Sequence, residues 1–203
     1  MRTLFLLAVF STAALCTSAQ DFQLSNPLTI EPVLSGSFSE LRGNHFHGGI
    51  DLKTQGRSGL DVLAAADGFV SRISVSPYGY GNALYLQHPE GYTTVYGHLQ
   101  AFAPEIEQWV EAQLADRNKN DGNLYPAAGQ FSFERGARIA FSGNTGGSMG
   151  PHLHFEIRET KSEEPLNPLA FGIEVADHRA PNLWEVRVVG VSSGEVLAAL
   201  EGD

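Results

Sequence analysis

The stretch Gly150-Pro151-His152-Leu153-His154-Phe155-Glu156-Ile157 decides how the chain is read. In a strand, successive side chains point to opposite faces, so residues two apart share a face. On that pattern His152 and His154 stand side by side, about 7 Å apart along the strand. Leu153, Phe155 and Ile157 line the opposite, apolar face. Two imidazoles then sit over a packed core, where one His can bind a metal and the other stand beside it. Two surface histidines on a half-buried strand give the same pattern, and the stretch alone does not choose between them.

Other segments supply possible neighbours. His47 and Asp51 are four residues apart, about 13 Å on a straight strand, too far to bind one ion. Gly48-Gly49 between them disfavours a helix. A bent, Gly-hinged strand lets the two converge, and a loop with a surface His and Asp is the alternative. The segments 83–88 and 92–98 flank Pro89-Glu90-Gly91 as a hairpin, with His98 ending its second strand. His88, at the turn, is expected to be solvent-exposed. The loop 142–150 is Gly-rich but lacks the Lys and following helix of a phosphate-binding loop. It reads as a groove wall along which a substrate backbone can approach, with Thr145 and Ser148 as candidate contacts. The two aromatics of the 77–82 loop are either exposed rings or a second wall.

The rest of the chain reads as strands with one helix. Phe69, Ile73 and Val75 follow the Asp67-Gly68 turn signal as a strand, and 136–141 is another. Pro104 suits a first helical turn, and Ile106, Trp109, Val110 and Leu114 share one face of a 3.6 period, which predicts an amphipathic helix over 104–118. Trp109 is expected in the core. Pro165-Leu166-Asn167-Pro168 marks a boundary, and Trp184, Val186 and Val188 alternate as a further strand. The fold class is therefore mainly β, an antiparallel sheet or sandwich with an open groove and one inserted amphipathic helix.

Composition sets bounds. The chain has 203 residues, 18% charged and 42% hydrophobic, enough for one domain with a real core. Its 22 glycines suit many tight turns better than a helical bundle. Arg2 precedes a mostly apolar run over 4–15, and Thr17-Ser18-Ala19 offers a small-residue cleavage site, so 1–19 reads as a signal peptide with Gln20 as the new N-terminus. A lipoprotein reading would use Cys16, but Leu15 stands before it where a small residue is expected. Cys16 is the only Cys, so the mature chain has no disulfide. The formal charge is −10, which argues against nucleic acid or an anionic membrane as partner, and no transmembrane segment is expected in the mature chain. The expected domains are 1–19, 20–178, and 179–203 as the start of a C-terminal segment.

Taken together, His47-x-x-x-Asp51, Tyr96-Gly97-His98-Leu99, Ser142-Gly143-Asn144-Thr145-Gly146 and Gly150-Pro151-His152-Leu153-His154-Phe155-Glu156 resemble the lysostaphin/LytM-type zinc metallopeptidases of family M23. The match spans roughly residues 40–170, in the family's order. The resemblance implies one Zn2+ bound by His47, Asp51 and His154, with His98 and His152 beside the metal-bound water as general base and oxyanion stabiliser. It also implies a largely antiparallel β fold with an open groove, acting on stem peptides or cross-links of peptidoglycan in a periplasmic, extracellular or cell-wall location. A non-catalytic wall-binding module, or an activator of another wall hydrolase, is the alternative. Arg42 and Asn44, near this site, are candidates to contact a stem-peptide carboxylate. His45 shares the face of His47 or is simply exposed, and His178 is given no role.

Overall fold

The computed structural model describes residues 22–176 other than Asn44, and residues 185–201 other than positions 191 and 193. The expected leader at 1–19, Asn44, His178 and Trp184 lie outside the described residues. The strands run β1 (Leu34–Gly36), β2 (Ile50–Lys53), β3 (Asp61–Leu63), β4 (Gly68–Val75), β5 (Asn82–Gln87), β6 (Tyr92–Leu99) and β7 (Ala101–Phe102). After helix α1 (Pro104–Asp116) come β8 (Gly122–Leu124), β9 (Ser132–Phe133), β10 (Arg138–Phe141), β11 (His152–Glu159) and β12 (Pro165–Leu166). A nine-stranded sheet has the order β1-β2-β11-β6-β5-β4-β8, with β12 also on β11 and β9 on β4. A smaller sheet has the order β3-β10-β7. All of these pairings are antiparallel. The expected mainly β, antiparallel chain with one inserted helix is thus observed. The strand expected near residues 184–188 is β13 (Glu185–Val189), which pairs with β14 (Val196–Glu201).

One core takes side chains from both sheets and the helix. Leu153, Phe155 and Ile157 of β11 have no exposed surface. Each such burial contributes about 1.5–3 kcal/mol. That anchors β11 between β2 and β6 and fixes which residues face away from the core. Helix α1 begins at Pro104 and buries Ile106 and Val110. Trp109 is half-buried, edge-on to Phe131 with centroids 5.8 Å apart.

His88 departs from expectation: it is 1% exposed. Its Nδ1 donates to the Asp67 carbonyl at 2.7 Å, and its Nε2 lies 2.8 Å from Thr94 Oγ1. Thr94 Oγ1 is in turn 3.1 Å from the Tyr96 hydroxyl, which accepts the Ala65 N–H at 2.9 Å. Phe22, from the lead-in segment, covers the imidazole at a centroid distance of 5.3 Å. The turn position suggests exposure only if that distant segment is ignored.

Burial pushes the His88 pKa below the ordinary imidazole value, despite the favourable carbonyl of Asp67. The unfolded chain then takes up this proton at higher pH than the folded one. His88 therefore contributes stability that is full above about pH 6.5 and is lost as pH falls through the lower folded value. Urea unfolding at pH 7 and pH 5 should show the wild type losing more stability on acidification than His88→Gln. Equal losses would mean that His88 is not the buried titrating group.

Candidate functional site

The register of β2 on β11 sets Asp51 opposite His154. His47 arrives through a bend at Gly48-Gly49. A side chain at Gly49 would collide with the Phe155 carbonyl and with Glu156, so the bend needs glycine for close approach. The bend brings His47 Nε2 to 3.1 Å from Asp51 Oδ1, where a straight strand would hold the two residues apart. His154 Nδ1 lies 2.9 Å from the same oxygen and 3.0 Å from His47 Nε2. All three side chains are buried, and together they form a group able to hold a metal ion.

The hydrogen bonds on the far side of each ring fix which nitrogen is free. His47 Nδ1 is 2.9 Å from the Ser37 carbonyl, which can only accept, so Nδ1 carries the proton. His154 Nε2 is 2.7 Å from Glu156 Oε1, a carboxylate oxygen, so Nε2 carries the proton there. In the neutral rings, the lone pairs of His47 Nε2 and His154 Nδ1 then point at each other and at Asp51 Oδ1. Such a trio needs a cation, or a proton in its place. Tetrahedral zinc with ligand distances of about 2.0–2.2 Å separates its ligands by about 3.3 Å, close to the spacings found. Imidazole and carboxylate donors also match zinc's preferences. The residues therefore fit the ion that the family resemblance implies.

The charges agree with this arrangement. Burial opposes ionisation of Asp51, but the imidazoles of His152, His154 and His47, which donate to it when protonated, outweigh this and hold the carboxyl far below the usual range. Arg42 Nη2 donates to the other oxygen, Asp51 Oδ2, at 2.8 Å. Burial likewise opposes charging of His154, but Asp51 and Glu156 outweigh it and raise its pKa.

His98 and His152 stand beside this group, with their rings 4.7 Å apart. His98 Nδ1 donates to the Thr145 carbonyl at 2.8 Å, which leaves Nε2 free. Burial pushes its pKa down to about 4, so it is neutral near pH 7. His152 Nδ1 donates to the Gly150 carbonyl at 2.8 Å, and its Nε2 lies 3.5 Å from Asp51 Oδ1. Burial opposes its charging, but the bonds to Asp51 and Gly150 outweigh this and raise its pKa. His98 reaches the site by an irregularity. Alternation along β6 would put it on the core side with Tyr96. Its backbone is left-handed, φ 59°, beside a register shift against β5, and this re-aims the ring.

All five residues line one cleft of about 580 Å³, together with Arg42, Ser148 and the exposed His45. Arg42 is engaged with Asp51, as described. Ser148 Oγ donates to the Gly150 carbonyl at 2.9 Å and lies 3.2 Å from His152 Nδ1. Thr145 is not among the lining residues. Its hydroxyl accepts the Asn82 N–H and donates to the Leu99 carbonyl, both at 2.9 Å, while its own carbonyl orients His98.

Glu156 and Arg158 are given no role by the sequence, whereas Tyr80 is one of the two loop aromatics read there as exposed rings or a wall, and it lines the cleft. Glu156 has no exposed surface. Its Oε1 accepts from His154 and from the Tyr80 hydroxyl at 2.6 Å, and its Oε2 accepts from Arg158 Nε at 2.6 Å. Burial opposes its ionisation, but His154 and Arg158 outweigh it and hold the carboxyl at about 2. The Tyr80 ring stacks on His154 at 5.0 Å. The available signal was the period of two that places Glu156 and Arg158 on the face of His154.

A family model described as Peptidase family M23 matches residues 45–115, a span that holds His47, Asp51 and His98, with His152 and His154 beyond it. The DD-carboxypeptidase/endopeptidase Mpg of Neisseria meningitidis is 33% identical over 127 residues, covering 63% of this chain and 23% of that protein. The murein hydrolase activator NlpD of Escherichia coli is 32% identical over 122 residues, covering 60% of this chain and 25% of that protein. A zinc-containing peptidase from Vibrio cholerae superposes with a TM-score of 0.51 at 25% identity, covering 76% of this chain and 41% of that one. The chain spans about a quarter of the length of the two sequence relatives. These likenesses and the antiparallel fold around a His-Asp-His group accord with the family model, and the chain carries a peptidase family M23 domain, matched over residues 45–115.

Proposed function

We infer that the chain is an exported zinc-dependent endopeptidase that hydrolyses peptide cross-links of bacterial peptidoglycan. The observation that carries this reading is the convergence of three lone-pair atoms, from His47, Asp51 and His154, beside two further histidines in one cleft. His47 Nε2, Asp51 Oδ1 and His154 Nδ1 hold one Zn2+. When bound, the ion polarises a carbonyl and lowers the pKa of water from about 15.7 to about 7. His98, neutral with Nε2 free, accepts the proton of the attacking water. His152, in its protonated form, which Asp51 and the Gly150 carbonyl favour, presents Nε2–H to the oxyanion that develops on the scissile carbonyl. Environments that push two histidines apart in pKa suit an acceptor and a donor at one bond. Arg42 holds Asp51 Oδ2 and so leaves Oδ1 to the ion.

In this reading, residues 1–19 are a leader, 20–178 form the catalytic domain and 179–203 begin a further segment. The protein works in the periplasm or at the wall. Among the described residues no helix is long and apolar enough to cross a membrane. The likeness to NlpD favours a second reading, in which the chain binds the wall or activates another hydrolase. The complete set of three ligand residues and two flanking histidines supports the enzyme instead.

Zinc-loaded protein incubated with isolated peptidoglycan should convert cross-linked dimers to monomers by mass spectrometry, and a zinc chelator should stop it. No cleavage of several wall types despite bound zinc would move the assignment to the activator.

Substitutions separate the roles. Asp51→Ala and His154→Ala should lose zinc and turnover together, and full zinc content in either would remove it from the ligand set. His98→Ala should retain stoichiometric zinc and lose about 100-fold or more in rate, the scale of a missing general base. Near-normal turnover would take it out of the mechanism.

Glu156→Gln tests the group behind His154. Gln keeps the size of the side chain but not the charge. Zinc affinity should fall about 10–100-fold, as for other partners of metal-bound histidines. Unchanged affinity in a competition with a chelating dye would show that Glu156 serves packing only.

A further inference from the structure

The sheet face that carries His154 continues beyond it. On β11 the residues turned that way are His152, His154, Glu156 and Arg158. The register sets Thr93 opposite Arg158, and Arg72 opposite Tyr85. Past Glu156 the face opens into a second pocket of about 220 Å³.

Two guanidinium groups converge there on one ring. Arg72 Cζ lies 4.6 Å from the Tyr85 centroid and Arg158 Cζ lies 6.0 Å from it. Only one of the two charges is matched by a buried carboxylate. Arg158 donates from Nε to Glu156 Oε2 and from Nη2 to the Tyr80 hydroxyl at 3.2 Å, which leaves Nη1 for a ligand, whereas Arg72 donates from Nε to the neutral Asn123 Oδ1 at 3.1 Å. Among the described residues no carboxylate forms an ion pair with Arg72. Two carboxylates stand at the pocket's edge. Glu159 Oε2 is taken by the Ser162 N–H at 2.6 Å. Glu163 Oε2 reaches Arg158 Nη1 only at 3.7 Å, from a side chain that is 69% exposed. So loose and solvated a pair contributes little and gives way easily.

We propose that this pocket is a carboxylate subsite for a peptide ligand, which grips a terminal or side-chain carboxylate between Arg72 and Arg158 over the Tyr85 ring. A guanidinium presents its N–H groups in a planar fork that matches a carboxylate, and a charge-assisted bond of this kind is about twice as strong as a neutral one. The tyrosine ring keeps both cations in place from below. Arg158 also holds Glu156, and Glu156 holds His154. A ligand seated here therefore touches the same hydrogen-bonded chain that orients the candidate metal centre. The peptide nature of the ligand rests on the peptidase reading, while the carboxylate chemistry rests on the pocket alone.

The test uses the full zinc-loaded, 15N-labelled chain and three small probes followed by NMR. N-acetyl-D-alanine carries a terminal carboxylate, N-acetyl-D-isoglutamine carries only a side-chain carboxylate, and N-acetyl-D-alaninamide carries none. One or both carboxylates should give saturable shifts at the amides of Arg72, Tyr85, Thr93 and Arg158, and whichever binds more tightly identifies the source. The neutral amide should bind at least about tenfold more weakly, as should the carboxylates to Arg72→Gln with an unchanged Tm. Equal shifts with the amide, or shifts confined to the surroundings of His47 and His154, would overturn the subsite. No bond is cut in this measurement. A protein that cleaves wall peptides without these shifts loses the subsite alone, and one that shows the shifts without cleaving loses the peptidase reading alone.

Discussion

Glu156 is an ionised carboxylate with no surface exposed to water, and much of the site is arranged around that charge. A buried charge is tolerated only when it is paired and its remaining lone pairs are satisfied. Here both oxygens are filled: Oε1 by His154 and the Tyr80 hydroxyl, and Oε2 by Arg158. Gly48 and Gly49 press against the same side chain from the adjoining segment, where a Cβ would meet it. That close approach is also the bend that carries His47 to Asp51. One buried anion thus fixes the tautomer of His154, the place of the Tyr80 ring and the path of the chain toward His47.

The consequence is a site held from behind. Each candidate ligand has its outer atom tied down: His47 to the Ser37 carbonyl, Asp51 to Arg42, and His154 to Glu156. The flanking histidines are tied in the same way, to the carbonyls of Thr145 and Gly150. Five side chains therefore meet with their orientations set by backbone and charge rather than by one another. Partners of this kind raise the basicity of a ligand and fix its ring. The opposed pKa shifts of His98 and His152 follow from the same construction. His98 is buried against a neutral carbonyl, while His152 also faces Asp51.

Much of this was legible in the sequence where the physics is local. The period of two in β11, the hairpin about Pro89-Glu90-Gly91 and the helical period from Pro104 all predict the elements found. Gly48-Gly49 announced the bend between His47 and Asp51. What was not legible depends on distant segments or on broken periodicity. His88 is buried because Phe22 folds back over it, which turn chemistry cannot foretell. His98 faces the cleft because a left-handed residue interrupts the alternation of β6. Thr145 was expected to face a ligand, yet its hydroxyl pins one loop to another. Arg42 was expected to meet a substrate carboxylate, and it is held by a carboxylate of the chain itself.

The function of this face rests in the end on the apolar one behind it. Leu153, Phe155 and Ile157 have no exposed surface, and they lock the register of β11 against β2 and β6. Because the side-chain period of a strand is two, a slip of one residue would turn His152, His154, Glu156 and Arg158 into the core together. It would also bring the three apolar side chains into the cleft, at a loss of about 1.5–3 kcal/mol for each one exposed. The register that buries the hydrophobic residues is therefore the only one that places His154 opposite both Asp51 and Gly97. Gly97 matters here because a Cβ at that position would press on the His154 ring. The chemistry of the cleft is selected through packing: a strand that satisfies its core has already aligned the histidines, the buried carboxylate and the arginine in one row.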